Sequence, residues 1–116
     1  MSTSIDAFYA VYLTGAAGPS LAMLALRKHK VIGTDLTGVK IFGSYEAIDG
    51  GAHRVSVTVG VAPNTYLLQG VNSGPEDGYD VVFDLPEDFL ARDFIRLETK
   101  YGPINARFVR LGDLDD

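Results

Sequence analysis

Residues 40–61, KIFGSYEAIDGGAHRVSVTVGV, decide how this chain is read. In the second arm Val55, Val57, Val59 and Val61 alternate with Arg54, Ser56, Thr58 and Gly60. A period of two places the valines on one face, the mark of a strand with one buried side. Asp49-Gly50-Gly51 supplies the reversal, because glycine takes positive φ without strain. In the first arm Ile41, Gly43, Tyr45 and Ala47 alternate with Lys40, Phe42, Ser44, Glu46 and Ile48. The polar members mark the outer face, so Ile41 and Tyr45 face inward. Gly43 then suits a point where a strand bends sharply at a barrel corner. Phe42 and Ile48 are left outside, which makes them candidates for a partner surface.

The same alternation continues on both sides of the hairpin. Before it, Asp6 to Leu13 is rich in aromatic and β-branched residues and reads as a strand. Ser20 to Lys30 is ambiguous. Its Leu, Ala and Met residues and cationic end suit a helix. As a strand it puts Leu21, Met23 and Ala25 on one face and Ala22, Leu24 and Leu26 on the other. The strand is preferred because Arg27 to Lys30 looks like a hairpin leading into a short strand at Val31 to Thr34. After the central hairpin, Tyr66 to Val71 is a short extra segment and Asn72 to Gly78 a loop by composition. Tyr79 to Leu85, Phe94 to Tyr101 and Ile104 to Leu111 alternate again. Pro86 to Ala91 reads as a single helical turn. About eight strands at this spacing predict an all-β antiparallel fold, an up-and-down meander closed into a small calycin- or lipocalin-like barrel.

A chain of 116 residues makes one domain, residues 1–116, with one core. The formal net charge is −5, which argues against a nucleic-acid partner, since such proteins carry a basic face. There are no cysteines, so disulfides and thiolate metal sites are excluded. The opening MSTSIDAFYAVYL lacks the basic start and long apolar core of a signal peptide. No apolar run approaches the ~20 residues of a membrane helix. The expectation is a soluble cytoplasmic protein with no membrane insertion.

Several short stretches, taken in order, resemble the GrlR-type regulators. These are small bacterial calycin-like barrels whose founding member restrains type III secretion. The stretches are the opening DAFYAVYL, Gly33-Thr34-Asp35, and Ile41-x-Gly43-x-Tyr45 running into Asp49-Gly50-Gly51. Gly78-Tyr79-Asp80-Val81-Val82 through Pro86 and the closing Ala106-Arg107-Phe108-Val109 complete the set. The resemblance spans most of the chain. It implies an eight-strand barrel, a homodimer, and a regulatory role exerted by binding another protein. The secretion regulator engages its activator through an acidic surface run. Glu46-Ala47-Ile48-Asp49 is a thinned version of it, so Glu46 and Asp49 join Phe42 and Ile48 as candidate partner-binding residues, while the partner itself does not carry over.

No catalytic constellation stands out, and the expectation is a non-enzymatic protein without a cofactor. His29 and His53 sit beside predicted turns, far apart and without zinc-ligand spacing. Ser44, Ser56 and Thr58 lie on strands with no nucleophile motif around them. Glu46 and Glu98 alternate with apolar residues and read as solvated. Asp49-Gly50-Gly51 joins two strands, so it is no phosphate cradle. Glu76-Asp77 lacks calcium-loop spacing. What remains is the interior. Tyr9, Val11, Tyr45, Val57, Val59, Phe83, Leu97 and Phe108 either fill it or line a cavity for a small apolar or amphipathic ligand. Arg107 and Arg110 either anchor an anionic head group there or pair with Glu98 outside.

Overall fold

The computed structural model describes residues 4–75 and 77–113. Glu76 and the acidic tail beyond residue 113 lie outside the described residues. Eight strands follow one another: β1 (Ala7–Gly15), β2 (Gly18–Arg27), β3 (Lys30–Asp35), β4 (Lys40–Ala47), β5 (His53–Gly60), β6 (Gly78–Leu85), β7 (Ile95–Thr99) and β8 (Gly102–Gly112). They form one antiparallel sheet in the order β6-β5-β4-β3-β2-β1-β8-β7. The sheet curls until β6 and β7 lie against each other, giving a nearly closed barrel. No helix among the described residues is long and apolar enough to cross a membrane.

Residues 18–27 are strand along their whole length, paired with β1 on one side and β3 on the other. Helix propensity at Leu21 to Leu26 loses to this placement. Two neighbours satisfy the backbone, and the pleat buries Ala22, Leu24 and Leu26 together. Lys28 and His29 turn β2 into β3 with φ of 48° and 70°. Positive φ at two successive residues is the geometry of a tight hairpin turn, and it is costly outside Gly and Asn. Neighbours hold it in place. The Lys28 N–H donates to Asp6 Oδ2 at 3.1 Å, and the Tyr45 N–H donates to the His29 carbonyl at 3.0 Å.

Two expectations are corrected in detail. The helical turn at 86–91 shrinks to a 3-10 turn at Phe89–Ala91. The valine ladder of β5 stops at Gly60, and Val61 donates its N–H to the Asp77 carbonyl instead. Glycine is required at position 43 by the close approach of β4 to β5. A β-carbon on Gly43 would sit 2.7 Å from Val57 Cα and overlap the Ser56 carbonyl oxygen.

The core is unevenly packed along the barrel axis. The largest fully buried side chains are Tyr9, Leu26, Leu85, Val31 and Val55. All belong to the end carrying the β2–β3, β4–β5 and β6–β7 connections. There Phe89 folds in from the 3-10 turn and meets Tyr9 at 5.8 Å and Phe108 at 5.6 Å between ring centres. Offset and edge-on rings of this kind fill space densely. The opposite end is built differently.

Candidate ligand-binding cavity

At the end of the barrel where β1 meets β2, the inward positions carry short side chains. Val11, Ala22, Val57, Val59 and Val81 stand where the other end has Tyr9, Leu26, Tyr45 and Phe89. Short side chains at one height leave space between them, and the space is a cavity of about 290 Å³. Leu24, Ile41, Leu97, Ile104 and Phe108 complete the apolar wall.

The roof is the β5–β6 connection. The Asn64 N–H bonds the Gly74 carbonyl at 2.6 Å, Ser73 bonds the Thr65 carbonyl at 2.8 Å and Leu67 bonds the Val71 carbonyl at 2.8 Å. These contacts double the segment back on itself across the opening. The Ala17 N–H reaches the Leu68 carbonyl at 2.9 Å and pins it to the β1–β2 turn. The Tyr101 hydroxyl donates to the Ser73 carbonyl at 2.9 Å, tying it to the β7–β8 turn. Leu67, Leu68 and Gln69 thereby reach the cavity.

Of the eight interior residues named from sequence, Val11, Val57, Val59, Phe83, Leu97 and Phe108 line the cavity. Tyr9 and Tyr45 do not, and this corrects their assignment. The Tyr9 hydroxyl donates to the Ile5 carbonyl at 2.6 Å, and its ring belongs to the aromatic plug. The Tyr45 hydroxyl donates to the Asp6 carboxylate, and its ring lies between His29 and His53. Burial pushes both phenols up to about 12, with the Asp6 bond adding to the effect at Tyr45. Burial disfavours the Asp6 carboxylate. The Tyr45 hydroxyl, the Lys28 N–H and the nearby His29 and Arg27 charges outweigh it and hold Asp6 below the ordinary carboxylate range.

The lining has little charge. Asp35 is its one acidic or basic side chain, and it sits at the mouth accepting bonds from the Thr37 N–H at 2.8 Å and hydroxyl at 2.6 Å. Burial keeps the Tyr79 phenol above its usual range. Arg107 and Arg110 are outside the cavity. Arg110 pairs with Asp113, and Glu98 pairs with Arg96 at 2.7 Å rather than with either. Sequence reasoning missed the roof residues Leu67, Leu68 and Gln69. The available signal was an apolar run, YLLQGV, inside a segment otherwise composed as a loop. Among the described residues no three His, Asp or Glu side chains group as a metal site.

The outer wall carries a second feature. Cross-strand register aligns Phe8 with Ala25, Ala25 with Ile32, and Ile32 with Phe42. This makes a straight apolar row over four strands, with Phe8 48%, Ile32 66% and Phe42 49% exposed. Of the other partner candidates, Glu46 and Asp49 are exposed and Ile48 is half-buried, all towards the β4–β5 tip. The chain matches no family, no curated protein and no solved structure with which it was compared.

Proposed function

We propose that this protein is a non-enzymatic binding module for a small, neutral, largely apolar molecule held in the barrel. The observation that carries the reading is the 290 Å³ apolar cavity beside a tightly packed plug. Its size is about twice the ~150 Å³ of an engineered cavity that takes up benzene, which suits a ligand of roughly a dozen non-hydrogen atoms. The energetics favour an occupant. At about 24 cal/mol per Å³, unfilled space of 290 Å³ forfeits up to about 7 kcal/mol. That is comparable with the whole stability of a small domain, about 5–15 kcal/mol. A chain able to pack Tyr9, Phe89 and Phe108 together at one end has the means to fill the other, so the hollow is consistent with selection for binding.

The reading is tested with 1-methylnaphthalene, followed by its fluorescence. The chain has no tryptophan, so the background is low. Saturable one-to-one binding is expected, with a rise in Tm. Val59→Phe, which puts a ring into the cavity, should weaken binding at least tenfold without lowering Tm. A probe that fails to saturate, or one that Val59→Phe leaves untouched, removes the proposal.

A second reading, a homodimer and through it a regulatory protein of the GrlR type, is supported by the outer apolar row. A two-fold axis across the row would set Ile32 of one copy over Ala25 of the other, the reciprocal fit of an isologous interface. Phe8 and Phe42 would flank it. Glu46, Ile48 and Asp49 would remain beyond the row for a further protein partner. Light scattering at tens of micromolar should give twice the chain mass, and Ile32→Asp should halve it. A wild-type monomer at that concentration eliminates this reading.

A further inference from the structure

Among the described residues, Asp35 is the one charged side chain in the cavity lining. Burial alternates along β3, with Val31, Gly33 and Asp35 buried or half-buried and Lys30, Ile32 and Thr34 exposed. A period of two puts Asp35 on the inner face. Cross-strand register agrees. Phe108 pairs with Val11, Val11 with Ala22, and Ala22 with Asp35. Side chains directly opposite across a ladder share a face, and all four of these residues line the cavity. The Asp35 charge is also felt inside the barrel. Burial is the main cause that raises the Tyr79 phenol, and Asp35, three strands away in the sheet, adds to it. Thr37 engages only half of the carboxylate. Its N–H and its hydroxyl both donate to Oδ1, at 2.8 and 2.6 Å, and so fix the β3–β4 turn. Among the described residues no donor reaches Oδ2. Asp35 is half-buried, not enclosed, so a molecule in the mouth can meet it.

A hydrogen bond to a charged acceptor is stronger than one between neutral groups. We propose that Asp35 Oδ2 is the recognition group of the cavity, and that the ligand is a neutral apolar body ending in one O–H or N–H, which stays at the mouth while the body fills the hollow. This assignment rests on the ligand-binding reading above and adds the ligand's polar end. Anions are disfavoured, because Asp35 repels them and the lining supplies no cation. An ammonium would shed its water against an apolar wall, a cost that a single hydroxyl largely escapes. An aromatic or alicyclic alcohol, a phenol or an indole-like N–H meets the requirement. The two Thr37 bonds hold the carboxylate in place before the ligand arrives.

The test uses three probes on one ring system at pH 7: 1-naphthol, 1-methylnaphthalene and 1-naphthoate. On transfer from water alone the methyl compound should bind more tightly than the naphthol. In the wild-type protein 1-naphthol is expected to bind at least as tightly, and 1-naphthoate the most weakly of the three. Asp35→Asn keeps an oxygen for the two Thr37 bonds and puts an uncharged amide nitrogen, a donor, where Oδ2 stood. In that variant the affinity ratio should shift about tenfold from 1-naphthol towards 1-methylnaphthalene, and 1-naphthoate should gain about tenfold over wild type. A loss for one probe with a gain for another is a change that simple damage to the turn does not produce. Should the asparagine variant fail to fold, Asp35→Ser takes its place with the same expectations, since a serine hydroxyl also caps such a turn. An unchanged ratio, or an equal loss for all three probes, overturns the Asp35 proposal and leaves the cavity reading intact. Absence of binding by every probe overturns the two together.

Discussion

Phe89→Ala is expected to lower the stability of the barrel by about 3–5 kcal/mol, the usual cost of truncating a buried phenylalanine. Phe89 is 4% exposed and sits in a 3-10 turn of three residues that makes little regular structure of its own. Its ring is what attaches the β6–β7 connection to the core. It touches Tyr9 and Phe108 at ring separations of 5.8 and 5.6 Å, and those rings meet each other at 6.3 Å. Removing one member leaves space that the other two cannot enter. Tyr9 is held by its bond to the Ile5 carbonyl, and Phe108 by β8. The connection also spans the seam where the strand order ends, so no ladder compensates there. Urea unfolding should show a lower midpoint with an unchanged slope. Phe94→Ala is the control, since Phe94 is 56% exposed and its loss should stay within about 0.5 kcal/mol. Equal stability of the two variants would mean that the plug does not anchor this end.

Gly43→Ala should cost about 3 kcal/mol or more, at the upper end of what overpacking costs. Added side-chain volume is usually absorbed by rotamer changes, but here the obstacles are backbone. The new methyl would overlap the Ser56 carbonyl oxygen and sit 2.7 Å from Val57 Cα. Relief requires β4 to move away from β5, which strains the ladder from Lys40–Gly60 to Ala47–His53. Alanine normally gains about 0.5–1 kcal/mol over glycine within a strand, too little to offset the clash. Gly112→Ala tests the backbone argument. A β-carbon there meets nothing within 4 Å, and stability should hold or rise slightly. Thermal unfolding of both variants decides the matter. A Gly43→Ala protein as stable as wild type would show that the β4–β5 pairing tolerates a side chain at this close approach.

The candidate site was legible only in part. Alternation identifies which side of each strand faces in, so Val11, Val57, Val59, Phe83, Leu97 and Phe108 could be named as interior. It says nothing about height along the axis. Tyr9 and Tyr45 share the inward face with those residues but stand at the packed end, bonded to Ile5 and Asp6. Gln69 was harder still. Its amide is placed by Thr99 and Tyr79, thirty and ten positions away in the chain. Local pattern carries no trace of such a chain of bonds.

Period-two patterning and glycine turns determine by themselves that this polypeptide forms about eight antiparallel strands with a defined inner and outer face. Each of those properties is local, set by neighbouring side chains and by which residues tolerate a reversal. Where the interior is full and where it is hollow was decided only in three dimensions. Free volume at a given height is the sum over side chains from all eight strands and from a roof folded back over them. That sum exists only once register and curvature have brought those residues to the same level.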